Sequence, residues 1–164
     1  MNKFLISAIA LCALSNMAQA GGNHSHQHHA SHTQHGAHAQ MSSIGAPGAA
    51  KDVKRTVQIV MDDKMRFAPD KIEVRAGETL RLQVRNAGQL RHEFVLGQMA
   101  ELQAHAEMMR QQPDMQHEEP NMLSLAGGAS GEIIWRFGKS GTLDFACLIA
   151  GHFEAGMRGR VKVK

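Results

Sequence analysis

Cysteine is nearly missing from this chain. Of the two present, Cys12 falls inside an apolar N-terminal stretch and Cys147 lies near the other end. Cleavage after residue 20 removes the first, so an intramolecular disulfide is excluded. A lone thiol in an oxidising compartment has to be shielded by burial or held by a metal. Tyrosine is absent and tryptophan occurs once. No apolar run reaches the ~20 residues of a membrane-spanning helix. Charge of one sign is also lacking: the net value is +3 with histidine neutral, and the basic residues are scattered. That pattern argues against nucleic acid and against an anionic membrane surface as partners.

What the chain has instead is 11 histidines and 11 methionines in 164 residues. Imidazole and thioether are nitrogen and soft sulfur donors, the set preferred by copper.

The first twenty residues read as an export signal. A short positive start with Lys3 precedes the apolar residues 4–14, and Ala18-Gln19-Ala20 supplies a small-x-small cleavage site. Leu11 stands where a lipoprotein signal before Cys12 needs a small residue. The expected product is a monomer in the periplasm, with no membrane insertion of the mature chain. Residues 21–50 then form a low-complexity segment carrying His24, His26, His28, His29, His32, His35 and His38, with almost no large apolar side chain. Such a segment cannot bury enough surface to fold alone. Its imidazoles, with a reference pKa of ~6.5, are mostly neutral near pH 7 and open to metal. A disordered metal-binding tail is expected there.

From about residue 51 the pattern changes to period two. Val53, Val57, Ile59 and Met61 alternate with polar residues, as do Ile72 with Val74 and Leu80, Leu82 with Val84. Further short runs follow at 92–96, 132–137, 142–147 and 160–163, several bounded by glycine. Seven or eight short strands in roughly 110 residues predict an all-β sandwich of antiparallel sheets. Residues 98–112 interrupt the rhythm with Ala, Glu, Leu, Met and Gln, good helix formers. Met99, Leu102, Ala106 and Met109 share one face of the expected helix. Pro113 ends it, and Pro120 is expected to keep the following segment irregular. The insertion, about 98–125, also gathers soft donors: His105, Met108, Met109, Met115, His117 and Met122 form a candidate accessory copper site. Met99 and Met109 equally suit a buried stripe.

The densest chemistry lies in residues 147–157, CLIAGHFEAGM. Cys147, His152 and Met157 offer a thiolate, an imidazole and a thioether from one loop. These are three of the four ligands of a mononuclear type 1 copper site, whose fourth is a second histidine. His92, opening the segment HEFVLG (92–97), is the natural candidate.

On these residues, on the glycines 151 and 156 and on MRFAPDKIEVRAGET (65–79), the chain from about 52 to 164 resembles the cupredoxin family. The resemblance implies a cupredoxin-like Greek-key β-sandwich with a helical Met-rich insertion, and a type 1 copper cycling between Cu(II) and Cu(I). By it the metal ligands carry over as His92, Cys147, His152 and Met157. The leader, RHEFVLG (91–97) and the insertion MMRQQPDMQHEEPN (108–121) are similar to the periplasmic cupredoxins of bacterial copper tolerance. One departure stands out: many members have asparagine after the first ligand histidine, locking the cysteine loop, where this chain has Glu93. Either Glu93 alters the surroundings of the metal or it is a surface residue.

The expected function is therefore periplasmic copper binding for copper tolerance, with further copper ions captured by the tail. A periplasmic redox or copper-export protein is the implied partner. The alternative is a soluble one-electron carrier that exchanges electrons through His152 beside Leu148, Ile149 and Phe153. A thiol enzyme with Cys147 as nucleophile and His152 as base leaves Met157 idle. A multicopper oxidase is excluded because a short chain with one mature cysteine lacks the extra ligands.

Overall fold

The computed structural model describes residues 44–112 and 118–164. The signal segment, the seven tail histidines, Met115 and His117 lie outside the described residues.

Among the described residues, ten strands form two five-stranded sheets. The strands are β1 (Ala46–Pro47), β2 (Arg55–Asp62), β3 (Arg66–Ala68), β4 (Lys71–Val74), β5 (Thr79–Asn86), β6 (His92–Gly97), β7 (Met122–Leu125), β8 (Ser130–Arg136), β9 (Gly141–Ala146) and β10 (Arg158–Val163). One sheet has the order β1-β8-β5-β2-β3 and the other β4-β10-β9-β6-β7. The period-two residues of the sequence are the core. Ile59, Met61, Leu80, Leu82, Val84 and Trp135 pack with Ile72, Val74, Leu96, Leu143, Val161 and Val163 in one buried cluster. Phe67, Phe94 and Phe145 sit at its centre, with ring centroids 5.1–6.0 Å apart. Each buried side chain of this size contributes about 1.5–3 kcal/mol of transfer free energy.

Both sheets are mixed, not purely antiparallel as the alternation suggested. β2 pairs with β5 in parallel, and β4 with β10. The reason is topological: β3 and β4 carry the chain to the other sheet and back, so β5 returns beside β2 in the same direction. Alternation reports one buried face and is blind to strand direction.

The predicted helix is present as α1 (Met99–Gln111), opened by a capping box between Gln98 and Glu101. Leu102, Ala106 and Met109 are its buried face; Met99 is only half-buried. These three pack on Val95, Met122, Ala146 and Leu148 in a second cluster. The helix thus covers the outer face of β6 and β9, which explains why all six residues of β6 are buried. Phe94 and Leu96 point into the sandwich while Val95 points to the helix. After Pro120 the chain is regular rather than irregular: Met122–Leu125 pairs with β6 as β7.

The sandwich also takes in residues before 51. Pro47 pairs with Trp135, Ile44 is 2% exposed, and its carbonyl accepts the Trp135 Nε1–H at 2.9 Å. Among the described residues no helix is long and apolar enough to cross a membrane.

Candidate metal centre

His92 is the first residue of β6, on the same face as Phe94 and Leu96, and is fully buried. Cys147 follows β9 directly. The ladder between these strands ends at the pair Val95–Ala146. Just past it the Cys147 sulfur accepts the backbone N–H of Glu93 at 3.3 Å. The strand pairing itself therefore brings the cysteine beside the first histidine.

The loop after Cys147 closes on itself. The Cys147 N–H donates to the Met157 carbonyl at 3.1 Å, and the Met157 N–H donates to the His152 carbonyl at 3.0 Å. His152 donates its own N–H to Ile149 at 2.9 Å. Two tight bends need left-handed backbone, at Gly151 (φ +87°) and Gly156 (φ +90°), where a Cβ is disfavoured. From outside, the Arg66 guanidinium donates to the Ala155 carbonyl at 3.1 Å.

This framework converges three ligand atoms. His152 Nδ1 lies 3.3 Å from His92 Nδ1 and 3.3 Å from Cys147 Sγ, and the three ligand atoms all lie within 4.8 Å of one another. A point equidistant from three atoms so spaced is at most ~2.4 Å from each, the length of a metal–nitrogen or metal–sulfur bond. One thiol and two imidazoles also make the right donor chemistry for copper. The residues fit the ion. Met157 is fully buried in the same core cluster as Cys147, and its backbone closes the loop against it.

The electrostatics separate a ligand from a nucleophile. Burial pushes the Cys147 thiol up to about 12, only partly opposed by the Glu93 N–H. Burial, then the neighbouring His92, holds His152 below the ordinary histidine range. A thiol and a neutral imidazole are thereby favoured over a thiolate–imidazolium pair. Cys147 has no exposed surface, so the arrangement does not suit attack on a substrate.

Two residues outside the sequence-derived set complete the centre. Asp63, in the turn between β2 and β3, places Oδ1 3.0 Å from His92 Nε2. Its carboxylate also accepts the N–H groups of Gln89 at 2.8 Å and Leu90 at 3.2 Å. The first of these contacts, with His92 adding to it, holds Asp63 below the usual carboxylate range. Asn86, fully buried at the end of β5, braces the loop into His92. Its amide donates to the Leu90 and Leu125 carbonyls at 2.7 and 3.0 Å, and its oxygen accepts the Gly88 N–H at 2.9 Å. Neither residue belongs to a recognisable motif. Glu93 is not a surface residue: it is 7% exposed, and its main chain touches the cysteine.

The proposed accessory donors divide. His105, Met108 and Met122 line one open cavity of about 520 Å³ together with Asn121, Glu119 and Ile44. Met109 faces the helix–sheet cluster instead. Leu148, expected at the exposed edge beside His152, is buried under the helix.

Comparison with known proteins agrees with this geometry. The model of the cupredoxin-like domain matches residues 6–159. The copper-resistant cuproprotein CopI of Rubrivivax gelatinosus is 50% identical over 160 residues, which span 98% of this chain and 94% of that protein. The protein of the same name from Pseudomonas aeruginosa is 35% identical, spanning 74% and 83%. Among solved structures, auracyanin B superposes with a TM-score of 0.60 at 25% identity, over 73% of this chain and 96% of that one.

Proposed function

The chain belongs to the cupredoxin-like domain family, and from that premise we propose that it is a periplasmic copper-binding protein of copper tolerance. Its type 1 copper would be held by His92, Cys147, His152 and Met157. The observation that carries this reading is the convergence of His92, Cys147 and His152 at metal-bond spacing. Its relatives named for copper resistance supply the biological context. When bound, the ion supplies one-electron chemistry between Cu(II) and Cu(I). The protein's part is a soft sulfur donor, two imidazoles and a loop whose internal hydrogen bonds resist rearrangement. Metal analysis and visible spectroscopy of the purified full chain test the centre.

Export by the signal at residues 1–20 places the protein where copper enters the cell. The His-rich tail then serves as a collector. Ile44, where the described residues begin, lines the same cavity as His105, Met108 and Met122. Deleting residues 21–40 leaves the Ile44 contact with Trp135 intact. This deletion is expected to lower copper bound per chain and copper tolerance while the visible spectrum is unchanged. Unaltered tolerance would remove the tail from the function.

Proton release offers a second check. At neutral pH the Cys147 thiol, raised to about 12, is protonated and must lose its proton to become a ligand. His152, lowered by burial, is already neutral and adds no proton. Protons therefore compete with the metal for Cys147, and apparent affinity should rise about tenfold per pH unit through the neutral range. Titration calorimetry in buffers of different ionisation enthalpy should return about one proton released from Cys147 per copper. A release of zero would contradict thiolate ligation.

The electron-carrier reading draws on one observation. His152 alone among the four ligands is only half-buried, so electrons would enter and leave there.

A further inference from the structure

We propose that Asp63 is a positioning residue of the metal centre. It holds His92 in the tautomer that aims Nδ1 at the metal, and it biases the site towards Cu(II). The inference rests on the type 1 reading above.

A carboxylate can only accept hydrogen bonds, so the 3.0 Å contact from Asp63 Oδ1 requires the proton of His92 to sit on Nε2. Nδ1 then carries the free lone pair. It is Nδ1 that faces His152 Nδ1 at 3.3 Å. Asp63 is 29 residues from His92, yet its place is built rather than incidental. The N–H groups of Gln89 and Leu90 both point at it, at 2.8 and 3.2 Å. Gly88 leaves the room: a Cβ there would lie 2.0 Å from Asp63 Oδ1. The loop that delivers His92 is thus shaped around this carboxylate.

A neutral acceptor would orient the imidazole as well. A carboxylate adds negative charge, which makes the imidazole a stronger donor and favours the more highly charged metal state. The Asp63 side chain is 37% exposed, so solvent screens part of that charge and the effect on potential belongs at the modest end.

Two variants of the full-length protein separate orientation from charge. Asp63→Asn keeps an acceptor oxygen and loses the charge. It is expected to retain the thiolate-to-Cu(II) absorption but to bind Cu(II) about 10–100-fold more weakly. Cu(I) binding should weaken less, and each tenfold difference raises the reduction potential by about 59 mV. Asp63→Ala loses both, and nitrogen NMR of its apoprotein should show His92 shifting from the Nε2-protonated form to a mixture. Gly88→Ala, which drives the carboxylate away, should reproduce the Asp63→Ala spectrum. An Asp63→Asn protein with unchanged potential, or an Asp63→Ala apoprotein with an unchanged His92 tautomer, would overturn the proposal. A wild-type protein without the absorption would instead defeat the type 1 reading, and the apoprotein measurement would still decide the Asp63–His92 contact.

Discussion

Copper-loaded Cys147→Ala protein is expected to be colourless where the wild type absorbs intensely in the visible. The band arises from charge transfer out of the thiolate, and Cys147 is the only cysteine among the described residues. Affinity should fall by more than the ~10–100-fold typical of changes around a metal site, because on the proposed reading a direct ligand is lost. Stability of the metal-free protein should move much less. The substitution removes one buried sulfur from a thiol that is protonated and fully enclosed, a change worth about 1–2 kcal/mol. Visible titration with copper and chemical denaturation of the apoprotein read the two effects separately. Intense absorption persisting in the variant would refute the thiolate assignment.

The largest effect on stability is expected from Asn86→Ala. Three hydrogen bonds to backbone groups disappear, leaving the Leu90 and Leu125 carbonyls and the Gly88 N–H without this partner. At about 1–3 kcal/mol for the buried bond to Leu125 and about 0.5–1.5 kcal/mol for each of the two part-buried bonds, the total is about 2–6 kcal/mol. The damage is also directed. Gly88, Gln89 and Leu90 are the residues that make room for Asp63 and hold it, and Asp63 holds His92. Copper affinity should therefore fall as well, about 10-fold or more. Asn86→Asp separates the contributions, since it keeps the acceptor for Gly88 and loses both donors. Urea denaturation with and without copper measures both quantities. A loss of under about 1 kcal/mol in Asn86→Ala would show that the loop holds without its brace.

The parts of this protein that could be read from the sequence share one property: their chemistry is concentrated locally. A cysteine, a histidine and a methionine within eleven residues need only a loop to bring them together. His92, which the fold sets beside Cys147 and His152, stood out because it opens a strand-like run, and the helix because its apolar residues recur at helical spacing. Asp63 and Asn86 carried no such mark. Aspartate in a turn and asparagine at a strand end are among the commonest choices for those positions, and their partners lie on other segments. Glu93 left two readings open because its sequence neighbours do not show what lies over the strand. Burial of β6 on both faces, with α1 covering one of them, decides against a surface position.

The sequence by itself pointed to His92, Cys147 and His152, which the fold brings together, and determined the all-β class and the helical interruption. Each depends on residue types and on periods of two or 3.6 residues, which act over a few neighbours. Only the tertiary structure decided which strands run parallel, that residues before 51 join the sandwich, and that Asp63 stands behind His92. Those outcomes depend on which segments meet after the chain has crossed between sheets. No local period encodes them, because the energy that selects them is released only when distant surfaces are buried together.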